Sequence, residues 1–377
     1  MRKDAGVSYD ADGALWLDEK RRTPSGAEHE TSAEIGGGNG VNIEETRKRQ
    51  LNKELSDFFK KSRSDAKRSS CYICNKPVSS FCNSHLIPRF ILKNIAADGE
   101  LVQPAALLNV PFLDQTKGLN NSGTFHIICK DCDSGVFSDY ENPELIKKYP
   151  TNKLLAQIAL KNFLMQINKR LQEKAFYGNL HKRFPQRFIG TEVLDDIQRL
   201  DLRDFEHEYG RAKKILDDNA THGYKLIFWR ILPWRVPIAV QTPIVLNKNV
   251  DKKTLVDIDD FSESVAMLSI HLCAFPLKEE QTAVILFYHQ EDTIYAKFEK
   301  QFQGLPEARK LEFINYLIFR YTENFYISKS ARDLLKNQNL IRLFKEGWQL
   351  EEFDPSPCKP IKPSDIPNLL NAQHAIK

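Results

Sequence analysis

Two short cysteine pairs, Cys71-Tyr72-Ile73-Cys74 and Cys129-Lys130-Asp131-Cys132, limit how this chain can fold more than any other feature of its sequence. A CxxC turn sets two thiolates on one side of a tight knuckle, at the edge spacing of a tetrahedral ion. Two such turns supply four soft ligands and leave no open position. The spacing therefore predicts one structural zinc held by Cys71, Cys74, Cys129 and Cys132, with 54 residues between the inner cysteines folded around it. The chain has 7 cysteines, and Cys82, Cys273 and Cys358 stand outside the pairs. An odd count with lone members does not make a disulfide framework. Buried free thiols are the alternative, but they give no reason for the paired spacing. A redox CxxC would explain one pair and leave the other.

Between the pairs lies Ser84-His85-Leu86-Ile87-Pro88-Arg89. A lone histidine in an apolar segment is often a core residue. It is also the side chain whose neutral form can take a proton from water near neutral pH. Arg89 offers the planar fork that grips a phosphate through two bonds. His126, in Phe125-His126-Ile127-Ile128, reads as a core or edge histidine leading into the second pair.

Composition sets looser bounds. A net charge of +4 permits nucleic-acid binding without pointing to it. No apolar run nears the roughly 18–20 residues that span a bilayer. The N-terminal segment lacks the apolar core of a secretory signal, so the expectation is a cytoplasmic protein without membrane contact.

The patterning divides the chain into five stretches. Residues 1–42, ending in Gly36-Gly37-Gly38-Asn39-Gly40, read as a flexible tail. Residues 43–150 hold a basic helix and the cysteine segment. Residues 151–222 are helical, residues 223–350 form an α+β domain of unknown role, and residues 351–377 are a loose C-terminal tail. The helix predicted over 43–67 places Leu51, Leu55, Phe58 and Phe59 near one face. Lys53, Lys60, Lys61 and Arg63 fall on the other, where a solvated face and phosphate contact stay equally open. Further helices are expected over 151–178 and from Thr191 to Asp218. Tyr224–Arg230, Ile238–Leu246, Val265–Phe275 and Gln281–His289 read as antiparallel strands, the last two as a hairpin. Helices near 292–302, 305–321 and 328–346 follow, and residues 95–123 read as an inserted loop. Trp229 and Trp234 read as core aromatics at a sheet edge, with base stacking as the alternative. The fold class is α+β.

In the cysteine segment the chain resembles the HNH, or ββα-metal, nuclease superfamily in its four-cysteine form. The resemblance rests on Cys71-x-x-Cys74, Ser84-His85-Leu86-Ile87-Pro88-Arg89 and Cys129-x-x-Cys132-Asp133, over roughly residues 68–145. It implies a small zinc-stabilised ββα-metal domain, followed here by helices and an antiparallel-sheet domain with C-terminal helices. It also implies an endonuclease that hydrolyses phosphodiester bonds in nucleic acid, DNA more than RNA. His85 would be the base, Arg89 a phosphate contact, and Asp133 a ligand of a catalytic Mg²⁺ or Mn²⁺. Asp139 and Glu141 are secondary candidates for that cation. Three positions depart from the family pattern. Ser84 stands where an acid often precedes the His, Thr124 where an Asn orients it, and Asp133 where a His or Asn follows the last Cys; Asn120 and Asn121 lie upstream. Similar chains serve in restriction and antiphage defence, a role implied by the resemblance alone. Two other readings stay open: a zinc-containing module that binds nucleic acid without cleaving it, and a scaffold subunit that docks a protein partner, or a second copy in a homo-oligomer, through residues 220–346.

Overall fold

The computed structural model describes residues 43–108, 116–183, 192–347 and 359–377. The expected N-terminal tail over 1–42, Asp354-Pro355-Ser356-Pro357 and Cys358 lie outside the described residues. In chain order the elements are α1 (Ile43–Asp65), β1 (Ser84–His85), α2 (Arg89–Lys93), β2 (Glu100–Val102), α3 (Ala105–Leu108), β3 (Thr116–Gly118), β4 (Thr124–Phe125), α4 (Lys130–Val136), α5 (Pro143–Ile146), α6 (Asn152–Arg183), α7 (Glu192–Asp217), β5 (Tyr224–Leu232), β6 (Ile238–Ile244), β7 (Ile270–Pro276), β8 (Thr282–His289), α8 (Ala296–Gln303), α9 (Glu307–Tyr321), β9 (Phe325–Ile327) and α10 (Gln338–Gly347). The fold is α+β, with an antiparallel sheet covered by helices.

Among the described residues, seven strands form that sheet in the order β3-β2-β9-β6-β7-β8-β5. Every residue of β7 and β8 is buried. Both sheet faces are covered, so these strands read as continuous apolar runs rather than alternating ones. Cys273, Phe275, Ile285 and Phe287 face a core shared with α6 and the cysteine segment. Leu272, Ala274, Val284 and Leu286 face the second core, built with α8, α9 and α10. The alternation follows from the period of two along a strand.

Several expectations need correction. Residues 95–123 are not a plain loop, because β2 and β3 pair with each other and β2 pairs with β9 through Val102 and Ile327. β9 itself, at Phe325–Ile327, lies between β6 and β2. β7 starts at Ile270 rather than at Val265, and the Arg203 guanidinium holds the carbonyls of Glu263 and Val265 in the lead-in. The stretch 328–346 divides into a 3-10 turn over Lys329–Lys336 and the helix α10. Residues 359–377 are not loose. Ile361, Ile366, Leu369 and Leu370 are buried in the second core, Trp234 Nε1 donates to the Leu370 carbonyl at 3.1 Å, and Arg235 bridges to Ile376. Isolated apolar residues among prolines concealed that packing.

Helix α6 runs for 32 residues and is buried on almost every side. Most of its apolar residues serve the first core, and many of its polar residues are buried as well. Burying a polar group is costly without a partner, and several of these have one, although the Gln166 amide oxygen has none among the described residues. Asn162 meets His271 Nδ1 at 3.0 Å and accepts from Gln241 at 3.0 Å. Lys169 pairs with Glu323 at 2.6 Å, and Arg170 with Asp201 at 2.6 Å. α1 lies against the far end of α6, where Phe58 and Phe59 pack on Phe176. α6 thus touches α1, the sheet and the cysteine segment.

Candidate metal centre and adjoining histidine face

The first cysteine pair forms a tight knuckle. Asn75 N donates to the Cys71 carbonyl and Cys71 N to the Lys76 carbonyl, both at 2.9 Å. Closing that turn takes a left-handed residue, and Asn75 supplies it with φ 56°, a conformation asparagine tolerates better than most. The second pair opens α4, with Cys129 at its N-cap and Cys132 in the first turn. The four sulfurs lie within 4.8 Å of one another. Cys74 and Cys129 are 3.9 Å apart, against an edge of about 3.8 Å for a tetrahedron with zinc–sulfur bonds of about 2.3 Å. The Cys129 amide donates to Cys71 Sγ at 3.3 Å. These residues fit a structural metal such as zinc. Burial pushes the Cys71 thiol up, but backbone N–H groups outweigh it and bring it down to about 7. Cys132 is driven up by burial and then by its three sulfur neighbours. Thiols this close cannot all ionise without a cation between them.

Beside this cluster, β1 and β4 pair antiparallel, Ser84 with Phe125 and His85 with Thr124. The chain then passes through the second knuckle into α4. Gly123, at φ 61°, lets the backbone turn into β4 and leaves room for Tyr326 of β9, whose ring would stand 3.2 Å from an added Cβ. Its carbonyl accepts from Leu86 N at 2.8 Å.

His85 is half-buried, and its Nε2 lies 3.3 Å from the Leu119 carbonyl. A carbonyl only accepts, so this contact places the ring proton on Nε2 and leaves Nδ1 with its lone pair. Burial lowers the His85 pKa below the ordinary histidine value; the carbonyl works against it, and the charges of Lys161 and Arg89 add to it. The imidazole is neutral near neutral pH. Arg89 opens α2, and its Nε donates to Asn120 Oδ1 at 3.0 Å. The turn Leu119–Asn121 thus orients both residues, His85 through a main-chain oxygen and Arg89 through a side chain. Thr124, at the place expected for an orienting asparagine, instead faces His85 in the strand register.

Asp133 lies on α4 with both carboxylate oxygens engaged. Ser84 Oγ donates to Oδ1 at 2.6 Å, Cys82 Sγ to Oδ2 at 3.3 Å, and Lys161 Nζ stands 3.3 Å from Oδ1. Burial raises its pKa, but Lys161 and the bonds from Ser84 and Cys82 win and hold it below the usual carboxylate range. Cys82 moves the other way, pushed up to about 11 by burial and then by the Asp133 charge. Lys161 also pairs with Glu141 at 3.0 Å, and its ammonium sits 4.4 Å from the Phe137 ring centre.

Ser84, Cys82 and Lys161 therefore meet at Asp133, with Glu141 joined through Lys161, while His85 and Arg89 are held by the neighbouring Leu119–Asn121 turn. Asp139 does not join them, since it pairs with Lys153 at 2.9 Å. His126 is exposed, beside Lys67. Among the described residues the four cysteines are the one group of three or more metal-binding side chains close enough to share an ion. The donors around Asp133, as they stand, do not fit a second cation. Sequence reasoning missed Lys161, Cys82 and Gln157. Gln157 Oε1 accepts from Tyr140 N at 2.8 Å and its Nε2 donates to the Val136 carbonyl at 2.7 Å, tying α4 to α6. The available signal was two polar residues four apart within an apolar helix. Compared with protein-family models, with curated proteins and with solved structures, the chain matches none.

Proposed function

We propose that this chain cleaves phosphodiester bonds in nucleic acid, DNA first, with His85 as the general base of an HNH-type site and zinc as the ion of the four-thiolate cluster. The observation that carries the reading is the seating of His85. It lies on a short antiparallel pair that leads through the second knuckle into the helix bearing Asp133, with its proton-accepting Nδ1 left free by the Leu119 carbonyl. A neutral imidazole so held takes a proton from an attacking water. The guanidinium of Arg89, tethered at Nε, presents its remaining N–H groups to a phosphate oxygen. Asp133 and Ser84 hold the helix to the strand next to the base. A Mg²⁺ or Mn²⁺ at Asp133, as the family resemblance implies, asks for a carboxylate that is open.

A basic track supports a polyanionic substrate. Lys53 and Lys60 are exposed on α1. A groove of about 530 Å³ between α1 and α6 is lined by Lys61, Lys174 and Lys182, with Asp65 partly offsetting them. The Arg68 guanidinium lies 4.7 Å above the Tyr72 ring, which joins the end of α1 to the first knuckle. Phosphate contacts of this kind bind without reading sequence.

One observation favours the second reading, binding without cleavage: the Asp133 carboxylate is already saturated by its neighbours. Nicking of supercoiled plasmid separates the two. The wild type should nick with added Mg²⁺ or Mn²⁺ or without either, and His85→Ala should lose the activity while still retaining the DNA on a gel shift. Equal nicking by both proteins removes the catalytic assignment. Retention without nicking by either leaves a binding module. Restriction or defence against phage is the biological setting we infer from the same reading, and plating efficiency of phage on cells expressing the chain or His85→Ala tests it.

A further inference from the structure

Lys161 has no exposed side-chain surface. Its ammonium reaches two carboxylates at once, Asp133 at 3.3 Å and Glu141 at 3.0 Å, and it lies over the rings of Phe137 and Tyr140 at 4.4 and 5.1 Å. The two acids are on the outer side, 22% and 40% exposed, while the lysine closes the inner side from α6. Gln157, one turn earlier on α6, fixes the same stretch of backbone through Tyr140 N and the Val136 carbonyl. The nitrogen is therefore held in place from several directions. Both Asp133 oxygens are also used, by Ser84 and Lys161 on one and Cys82 on the other.

We propose that Lys161 is the resident cation of this face: a positioning residue that fixes Asp133 and Glu141 from behind and closes the carboxylate pair to divalent ions. Its meaning for catalysis rests on the nuclease reading, but its test does not. A second cation placed on Asp133 would stand within a few ångströms of the ammonium, and the repulsion between them is large in a partly buried site. With the ammonium gone, the same two carboxylates carry two uncompensated charges and hard oxygen donors, the kind of site that Mn²⁺ or Mg²⁺ takes.

The experiment is a Mn²⁺ titration of the zinc-loaded full chain, followed by the EPR signal of free Mn²⁺. Wild type and Asp133→Asn should bind equally weakly. Lys161→Met, whose side chain can stay between the two rings, should gain a site at least about ten-fold tighter than the wild type has, and adding Asp133→Asn should abolish it. Two results overturn the proposal: a tight wild-type site that Asp133→Asn removes, or a folded Lys161→Met protein with wild-type affinity. If Lys161→Met is insoluble, the wild-type and Asp133→Asn pair decides alone. A merely structural lysine would change the melting temperature and leave Mn²⁺ affinity where it was. Absence of plasmid nicking would remove the nuclease reading and leave the Mn²⁺ result standing.

Discussion

The cysteine segment and the central sheet solve the same problem with different means. β1 and β4 are two residues each, too short for a ladder to hold by itself. Their neighbourhood is joined by side chains of specific chemistry: four clustered cysteines that could hold a metal, the bonds to Asp133, and Lys161 behind them. β5 to β8 are seven to nine residues long and need no such fastening. β6, β7 and β8 are buried almost throughout and the edge strand β5 in part, and their stability comes from area removed from water. A region held by coordination should fail all at once when one ligand is lost. A region held by packing should weaken in proportion to the volume removed.

The largest expected effect is Cys71→Ser or removal of the metal. Structural zinc in small domains contributes on the order of 10–16 kcal/mol of binding that is also folding energy. The variant should lose its bound metal and its soluble yield together, measured by elemental analysis of the purified protein. A soluble, metal-free and fully folded variant would contradict the comparison. Leu286→Ala comes next. Leu286 is fully buried in the second core, and the change should cost about 2–5 kcal/mol by urea titration with metal content unchanged. Gly123→Ala lies at the seam, where β4 meets Tyr326 of the sheet. A left-handed alanine costs roughly 1–2 kcal/mol, and the tight contact with the Tyr326 ring adds to it. Both melting and metal retention should shift slightly, which would show the two regions unfolding together.

pH sharpens the same contrast on the packed side. His271 is fully buried, stacked on Phe287, and burial, then the charge of Arg211, brings its pKa down to about 3. The folded chain keeps it neutral, whereas the unfolded chain takes up the proton below about 6.5. Its contribution is therefore intact above about 6.5 and is lost as pH falls from there toward about 3. Glu208, raised to about 7 chiefly by burial, slopes the opposite way over part of that range. The quantity to read is thus the difference between wild type and His271→Phe, which should change with pH below about 6.5 and stay flat above it. Equal pH dependence in both proteins would count against the buried neutral form. The smallest stability effect is expected for His85→Ala, about 1 kcal/mol for one lost hydrogen bond at a half-buried position, against a large loss of nicking.

How much of this was legible beforehand follows from the range of the interactions. The knuckles were visible because each is set by four consecutive residues and a spacing. The long helix α6 and the strands β5 to β8 were visible because their apolar stretches are long and local, bounded by turn residues. β2, β3 and β9 were not, since three-residue strands carry no period and exist through partners far away in the chain. Residues 359–377 looked loose for the same reason. At the candidate site, His85, Asp133 and Arg89 could be named through the family resemblance, and their roles remain proposals. Lys161 could not, because its partners Asp133 and Glu141 belong to another stretch of chain, and a lysine within an apolar helix gives no hint of which acids it meets. Cys82 was set aside for standing alone, although its neighbour in space is a carboxylate.

The pairing of Val102 with Ile327 also sets an order of assembly. During synthesis both knuckles emerge well before β5, so the four cysteines that could hold a metal come together while most of the sheet does not yet exist. β2 must then wait beside the cysteine cluster until β9, far later in the chain, arrives to seat it. Pairings this distant are slow to form and leave an open strand edge meanwhile. A nascent chain halted just before Phe325 would have both knuckles and still expose the β2 edge that β9 covers, an interval open to misassociation between copies.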